Sequence, residues 1–298
     1  MQVEGSILRK APILYVLPIV VIFFMTNTVA TGTEFLENYH NPVNAATTAE
    51  QSPVRLPIVM YHHLSLKPRL WNDYVLSVEQ FESDLKYLRD AGYESVTMSE
   101  LLRWYDGEFE LPERPVMITF DDGFESTLHY GAPLLERYGF KAVMAIVGVV
   151  ADEYTEHPDH MLDYSYLDWT ALGEAPGIEL FELQCHTYDM HKLTPRRGCS
   201  RMSGESAEQY RRNLSADLSR FIGRCEEWGI STVPSIAFPF GLQSDETIDI
   251  VRACGYRAAF TCNERVNKLC GDPEELYHLC RFNRASGSGS KTFFARWE

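Results

Sequence analysis

The chain has 298 residues, of which 45% are hydrophobic and 23% are charged, as in folded globular proteins. The formal net charge is −15 at pH 7. A balance this acidic argues against a nucleic-acid binder, which needs a basic surface, and against docking on an anionic membrane surface. We therefore expect no nucleic-acid partner.

The first 55 residues differ in character from the rest of the chain. Arg9 and Lys10 precede a short apolar run, which predicts a signal peptide or membrane anchor over residues 1–30. Residues 31–55 are small and polar and predict a linker. We therefore expect the protein to be secreted or held at the cell surface, outside the cytoplasm, with membrane contact only through its N-terminal segment.

The seven cysteines all lie after position 184, and none forms a CxxC pair. This pattern excludes a zinc ribbon and a thioredoxin-like motif. The odd number leaves at least one thiol unpaired, and a Cys262–Cys270 disulfide is an open alternative in an oxidising compartment.

From Leu56 onward, short apolar runs alternate with amphipathic stretches. The predicted strands are, in chain order, 57–63, SVTM, 115–120, 141–150, 181–187, SIAFPF, YRAAFTC and a closing strand in LYHLCRFNR. The predicted helices include one capped by Ser77, SELLRWY, one near 168–174, a long one in GESAEQYRRNLSADLSRFIGRCEEWG, and SDETIDIVRACG. Such alternation predicts parallel strands wrapped by helices, in one domain over residues 56–298.

Two adjacent carboxylates, Asp121 and Asp122, follow the predicted strand 115–120. Like charges at the end of a buried strand repel and lose hydration, and a bound cation removes that penalty. Gly123 allows a turn sharp enough to bring both carboxylates to one site. A solvated turn is an equally open alternative from this pair alone, because Asp-Asp-Gly is common in turns.

His186 and His191 flank the end of the predicted strand 181–187. Their spacing does not suit one helix face, where neighbours are three or four residues apart, so they fit a strand end and the following loop. Imidazole and carboxylate ligands suit zinc and similar divalent metals, and three protein ligands leave positions open for water. One histidine alone is more often structural, but two near a strand-end aspartate pair favour a metal site.

Two further features end predicted strands. His62 and His63 end the first strand, and at most one of them can face a shared site because neighbouring side chains in a strand point to opposite faces. The segment AFPFG (237–241) ends a later strand in a tight turn. The carboxyl ends of the strands gather on one face of a parallel α/β barrel, where active sites form, so all four features are expected to converge there.

At these residues the sequence resembles the polysaccharide deacetylases of the NodB-homology group. The similarity runs in order over about 56–285, through PIVMYHH, LPERPVMITFDDGFES, CHTYDMHKL, AFPFG and RACGYRAAFT. More narrowly, the chain is similar to exported deacetylases of poly-N-acetylglucosamine. The resemblance implies an α/β fold, a distorted (β/α) barrel of about seven parallel strands in a single catalytic domain. It also implies metal-dependent hydrolysis of N-acetyl groups from an extracellular N-acetylglucosamine-containing polysaccharide, which releases acetate.

The resemblance also implies roles for individual residues. By position, Asp121 is the general base and His62 is the general acid. Asp122, His186 and His191 hold a divalent metal, zinc or another transition metal.

Three more residues are implied to serve the substrate side of the site. Phe240 falls where the family has an aromatic residue lining the acyl pocket. Thr187 falls where the family has Ser or Thr supporting the loop that carries the metal ligands, and Tyr188 is expected to contact substrate. The chain departs from the family pattern at two positions. Cys185 precedes the first ligand histidine and is expected to face the core, and Ala237 replaces an arginine that orients the base in many relatives.

Several alternatives stay open from the sequence. His278, in a Leu-x-His context, is a second candidate for the general acid. The substrate could be peptidoglycan or a chitin-like polymer, and an O-acetyl ester is a more distant alternative. A glycan-binding relative without catalysis is the other class, although the presence of both aspartates and both histidines disfavours it.

Overall fold

A computed structural model describes residues 53–297 of the chain. The predicted signal peptide or anchor (1–30) and nearly all of the predicted linker (31–55) lie outside the described residues. Within the described part, none of the helices combines the length and the apolar character that a membrane crossing requires.

The described residues form short strands alternating with helices. The strands are β1 (Val54–Leu56), β2 (Ile58–Tyr61), β3 (His63–Ser65), β4 (Val75–Ser77), β5 (Glu94–Ser95), β6 (Pro115–Phe120), β7 (Ala142–Ile146), β8 (Phe181–Cys185), β9 (Ser235–Ala237), β10 (Ala258–Phe260), β11 (Asn267–Leu269) and β12 (Phe282–Asn283). The α-helices are α1 (Val78–Asp90), α2 (Met98–Tyr105), α3 (Ala132–Tyr138), α4 (Gly148–Glu156), α5 (Trp169–Glu174), α6 (Ala207–Glu227), α7 (Thr247–Ala253) and α8 (Ser290–Phe294).

Seven parallel strands make the central sheet, in the order β10-β9-β8-β7-β6-β2-β12, with β5 beside the start of β6. The two margins of this sheet are connected by one segment. Leu279 donates its backbone N–H to the Ala259 carbonyl in the middle of β10 at 3.1 Å, and the strand that follows, β12, pairs with β2. The sheet is therefore curled, and the predicted α/β fold with about seven parallel strands is confirmed.

Helix α1 illustrates how the sequence positions these layers. The Ser77 hydroxyl accepts the backbone N–H of Gln80 at 3.0 Å and so caps the first turn. Phe81, Leu85 and Leu88 recur at helical spacing and are completely buried against the sheet.

Several predicted boundaries differ from the structure, among them the end of the predicted strand SVTM, where α2 begins at Met98, and two others have a clear physical reason. The strand predicted over 141–150 ends at Ile146, and α4 begins at Gly148. The Gly148 N–H donates to the Thr187 carbonyl at 3.1 Å, and a Cβ at Gly148 would lie 2.6 Å from the Tyr188 ring. The backbone of Thr187 and Tyr188, which follows β8, thus approaches Gly148 closely, and the chain turns from strand to helix at this glycine. At the other boundary, β1 starts inside the predicted linker because Val54 pairs with β11.

The seven cysteines are all free thiols, so the Cys262–Cys270 disulfide considered above is not formed. The C-terminal segment 290–297, which follows the last predicted strand, is part of the core. Phe293, Phe294 and Trp297 are each 3% exposed. The Phe294 ring stacks on Tyr87 of α1, so the C-terminal segment covers that helix.

Candidate metal centre and active site

The site lies where strands of the central sheet end. Within residues 53–297, three non-glycine residues have positive φ: Asp122 (73°) after β6, Thr187 (69°) after β8 and Phe240 (59°) after β9. This conformation is unfavourable for residues with a Cβ, and such strain collects at functional sites. All three positions were predicted from the sequence as site residues, and the turns they make direct neighbouring side chains towards one place.

Asp122, His186 and His191 form a cluster in which one ligand atom of each residue lies within 4.8 Å of the others. The Asp122 Oδ1 atom is 3.4 Å from His186 Nε2 and 3.1 Å from His191 Nε2. That oxygen is buried and has no hydrogen-bond partner. The structure therefore brings together the three residues predicted to hold a metal.

The protonation of His186 explains why a cation fits this cluster. Its Nδ1 lies 2.8 Å from the Ala237 carbonyl, which can only accept, so Nδ1 carries the proton. In the neutral ring, Nε2 then presents a bare lone pair to the unpartnered Asp122 oxygen. A divalent cation satisfies both atoms and His191 together, and the carbonyl behind His186 is the outer partner that fixes the ring of a metal ligand.

The electrostatics of the cluster also favour positive charge. Burial raises the pKa of Asp122, but the facing imidazoles of His186 and His191 outweigh burial and hold that pKa far below its ordinary value. Burial lowers the pKa of His186. The negative charges of Asp121 and Asp122 raise it by more, so the pKa of His186 lies above its ordinary value. The carboxylates thus create a field that attracts a cation to this point.

Asp121, the predicted base, is held by an arginine that was not predicted as a site residue. Its two oxygens accept from Arg281 Nη1 and Nη2 at 2.7 and 2.9 Å. The arginine side chain is completely buried and Asp121 is 3% exposed. Burial raises the pKa of Asp121, but the Arg281 guanidinium outweighs it, so this pKa lies below its ordinary value and the carboxylate stays ionised.

Arg281 supplies the orienting guanidinium that the sequence lacks at Ala237. It comes from the other margin of the sheet, just before β12, 160 residues away from Asp121 along the chain. One signal was available in the sequence. An arginine inside the apolar segment LCRF of a predicted strand needs a buried anionic partner, because an unpaired buried charge is unfavourable.

The two adjacent histidines point to different surroundings, as strand alternation predicted. Burial lowers the pKa of His62, while Asp122 and Asp121 act in the opposite direction, which places this ring in the field of the cluster. His63 instead contacts the Leu162 carbonyl through Nε2 at 2.8 Å and packs on Phe124. His63 is therefore a structural residue that fastens the loop before α5.

The alternative acid, His278, lies at the end of the 3-10 helix Pro273–His278 and is exposed. Within the described residues, its side chain forms no hydrogen bond or ion pair with the cluster. The charges of Asp122 and Asp121 act on the largely buried His62, whereas His278 is exposed at a helix end, so His62 is the better candidate for a role beside Asp122.

The loop after β8, residues 186–191, which we call the metal loop, is held by hydrogen bonds. The Thr187 hydroxyl accepts the Met190 N–H at 3.2 Å, in keeping with a supporting role in the loop. Asp217 on α6 accepts the backbone N–H groups of Tyr188 and Asp189 at 2.8 and 2.7 Å. Asp217 was not predicted, since a helix residue so far along the chain gives no local signal of this contact.

Tyr188 corrects an expectation. It is 4% exposed and its hydroxyl donates to Asp152 at 2.5 Å, with Arg220 stacked 4.0 Å over its ring. Its side chain therefore packs beneath the loop instead of facing substrate. Cys185 is buried as expected, and its sulfur accepts the Thr187 N–H at 3.2 Å.

Phe240 lies at the surface of the site. Its ring is 4.6 Å from the His191 ring and 41% exposed. This exposed ring, held in a strained turn beside a metal-ligand candidate, is accessible to a bound molecule.

Comparison with known proteins agrees with this geometry. Residues 109–259, about half of the chain, match the polysaccharide deacetylase family. The chain is 28% identical over 194 residues to the poly-beta-1,6-N-acetyl-D-glucosamine N-deacetylase of Staphylococcus aureus. This match covers 65% of the chain and spans 63% of the length of that relative.

Two solved structures share the fold. The Streptococcus pyogenes deacetylase PplD in complex with acetate superimposes with a TM-score of 0.65 at 19% identity, covering 83% of this chain and 100% of that one. IcaB from Ammonifex degensii gives 0.62 at 23% identity, covering 79% of this chain and 93% of that one. With the match over residues 109–259, the chain belongs to the polysaccharide deacetylase family.

Proposed function

We propose that this chain is a metal-dependent N-deacetylase of an extracellular polymer that contains N-acetylglucosamine, and that it releases acetate. The observation that carries the proposal is the cluster of Asp122, His186 and His191 next to the ion-paired carboxylate of Asp121. The relative from Staphylococcus aureus, whose name specifies poly-beta-1,6-N-acetyl-D-glucosamine, supports the choice of polymer.

Asp122, His186 and His191 would hold the ion, and zinc is the metal we propose because two imidazoles and one carboxylate suit it. Arg281 neutralises the charge of Asp121. With both imidazole rings neutral, the three residues that would hold the ion therefore carry one net negative charge, on Asp122. When bound, a divalent metal lowers the pKa of a water molecule and polarises an amide carbonyl.

The chain's own residues perform the proton transfers. Asp121, kept ionised by Arg281, accepts the proton of the attacking water. The C–N bond of the acetamide breaks after water adds to the carbonyl, and His62 donates a proton to the departing sugar nitrogen, since an amine anion is a poor leaving group. Phe240 borders the acetyl group. One water and one amide thus give acetate and an amine.

Acetate release from N-acetylglucosamine oligomers tests the proposal. The full chain is expected to release acetate from β-1,6-linked oligomers, to lose this activity with a chelator and to regain it on addition of zinc. Chitin oligomers and peptidoglycan serve as comparison substrates. Absence of acetate release from all of these substrates in the metal-loaded protein would refute the proposed function.

The acid role is tested by a histidine series. We expect His62→Ala to lower kcat by about 10²- to 10⁴-fold, the usual contribution of a general acid. His63→Ala removes the contact to Leu162 and is expected to lower the unfolding temperature while the folded enzyme keeps most of its kcat. His278→Ala is expected to behave as wild type. A larger loss of kcat in His278→Ala than in His62→Ala would contradict the assignment of His62 and identify His278 as the general acid.

The extracellular location is also proposed, and its support is the basic pair Arg9 and Lys10 followed by an apolar run. Cell fractionation checks it, because a protein found only in the cytoplasm would contradict it.

A further inference from the structure

Two exposed aromatic side chains lie on the loop between β3 and β4, which follows the proposed acid His62 in the chain. Trp71 is 40% exposed and Tyr74 is 61% exposed, and both belong to the connection 66–74 that follows His62 and His63. Exposed rings this large forgo the stabilisation that burial gives, so a pair of them within four residues indicates a surface that meets a ligand.

Hydrogen bonds hold this loop in one conformation. The Trp71 indole N–H donates to the Ser65 carbonyl at 3.0 Å. The Asn72 side-chain oxygen accepts the backbone N–H groups of Tyr74 and Val75 at 2.8 and 3.1 Å. The rings are therefore positioned before any ligand arrives, which lowers the entropy lost on binding.

Other parts of the domain fasten the same loop. Asn283 of β12 donates to the Asp73 carbonyl at 2.9 Å. Lys67 and Arg69, at the start of the loop, both pair with Asp163, at 2.8 and 3.0 Å. These contacts join the loop to β12 and to the segment that precedes α5.

Tyr74 directly contacts the proposed acid. Its ring centroid lies 5.0 Å from that of His62, with the ring planes at 77°. In the proposed reaction His62 protonates the sugar nitrogen, so the sugar that carries this nitrogen has to lie beside His62 and therefore within reach of Tyr74. A pyranose ring presents an apolar C–H face, for which a fixed aromatic ring is a suitable contact.

We propose that Trp71 and Tyr74 form an aromatic platform on which pyranose rings of the polymer stack next to the acetamido group being cleaved. This inference rests on the proposed function and adds to it a binding surface for the polymer. Tyr74 contacts the sugar at the reacting position, and Trp71, three residues earlier on the same loop, contacts a neighbouring sugar. The platform therefore favours oligomers over single sugars.

Kinetics with an N-acetylglucosamine hexamer test the platform. Trp71→Ala and Tyr74→Ala are each expected to raise KM about tenfold, as truncation of an aromatic anchor commonly does, with a smaller change in kcat. Tyr74→Phe is expected to restore a KM close to wild type, because stacking uses the ring and not the hydroxyl. The matched control is Trp228→Ala, since Trp228 is 38% exposed but lies at the end of α6 that precedes β9, away from the strand ends of the site.

Calorimetric titration of the full chain with the hexamer separates this inference from the proposed function. Failure of the wild type to release acetate would refute the function, whereas weaker hexamer binding by Trp71→Ala and Tyr74→Ala would still support the platform. Hexamer binding and KM equal to wild type in both alanine variants would overturn it. A second contrary result is also defined. If both alanine variants bind the hexamer as wild type does but no longer sediment with phosphatidylglycerol vesicles that wild type binds, the rings form a lipid-facing surface and the platform is overturned.

Discussion

Replacing Asp121 by asparagine is expected to lower kcat for acetate release by about 10²- to 10⁴-fold, because an amide cannot accept the proton of the attacking water. Metal binding should persist, since Asp122, His186 and His191 are unchanged. Arg281 would lose its anionic partner, and breaking a buried pair costs about 3–5 kcal/mol, so a lower unfolding temperature is also expected. Assays of acetate release measure the loss of kcat, and thermal unfolding measures the loss of stability separately.

A second buried aspartate–arginine pair supplies the matched control. Arg284 contacts Asp84 through Nε at 2.8 Å and Nη2 at 3.1 Å, and both side chains are completely buried. Asp84→Asn therefore makes the same chemical change in a pair that does not include the proposed base. It is expected to lose comparable stability while the folded fraction keeps its kcat. Wild-type kcat in Asp121→Asn, or an equal loss of kcat in both variants, would contradict the assignment of Asp121 as base.

The second large effect is expected at the metal ligands. Asp122→Asn and His191→Ala should each weaken metal binding by more than about 100-fold, because loss of merely an outer partner of a ligand already costs about 10- to 100-fold. The activity of each variant should fall in proportion to the metal that it loses. His191 is only partly buried, with 30% of its side chain exposed, so its truncation should change the unfolding temperature little.

Metal content measured by plasma mass spectrometry after gel filtration checks this expectation. Wild type should carry close to one divalent ion per chain and the two ligand variants close to none. His278→Ala, an exposed histidine outside the cluster, should keep the ion. Equal metal content in Asp122→Asn and wild type would show that the ion binds elsewhere.

Much of the scaffold could be predicted because the signals are local. Ser77 marks the start of α1, and the apolar run 115–120 coincides with β6. The strand ends then bring Asp122, His186 and His191 together, since parallel strands present their carboxyl ends on one face. The boundary after β7 was missed because apolar periodicity cannot separate a buried strand from the helix that follows it.

What the sequence did not reveal depends on contacts between distant segments. Arg281 meets Asp121 only because β12 returns beside β2, and Asp217 holds the metal loop from a helix. Tyr188 was expected to contact substrate. A residue in a loop can point to either side, and here the Asp152 carboxylate draws the Tyr188 hydroxyl into the interior.

The most direct test of the proposed metal centre is anomalous diffraction at the zinc edge from crystals of the metal-loaded protein. We expect an anomalous peak bounded by Asp122 Oδ1, His186 Nε2 and His191 Nε2, next to the Asp121 carboxylate. A bound ion located at the cysteines or on the outer surface, with no peak at these three atoms, would contradict it.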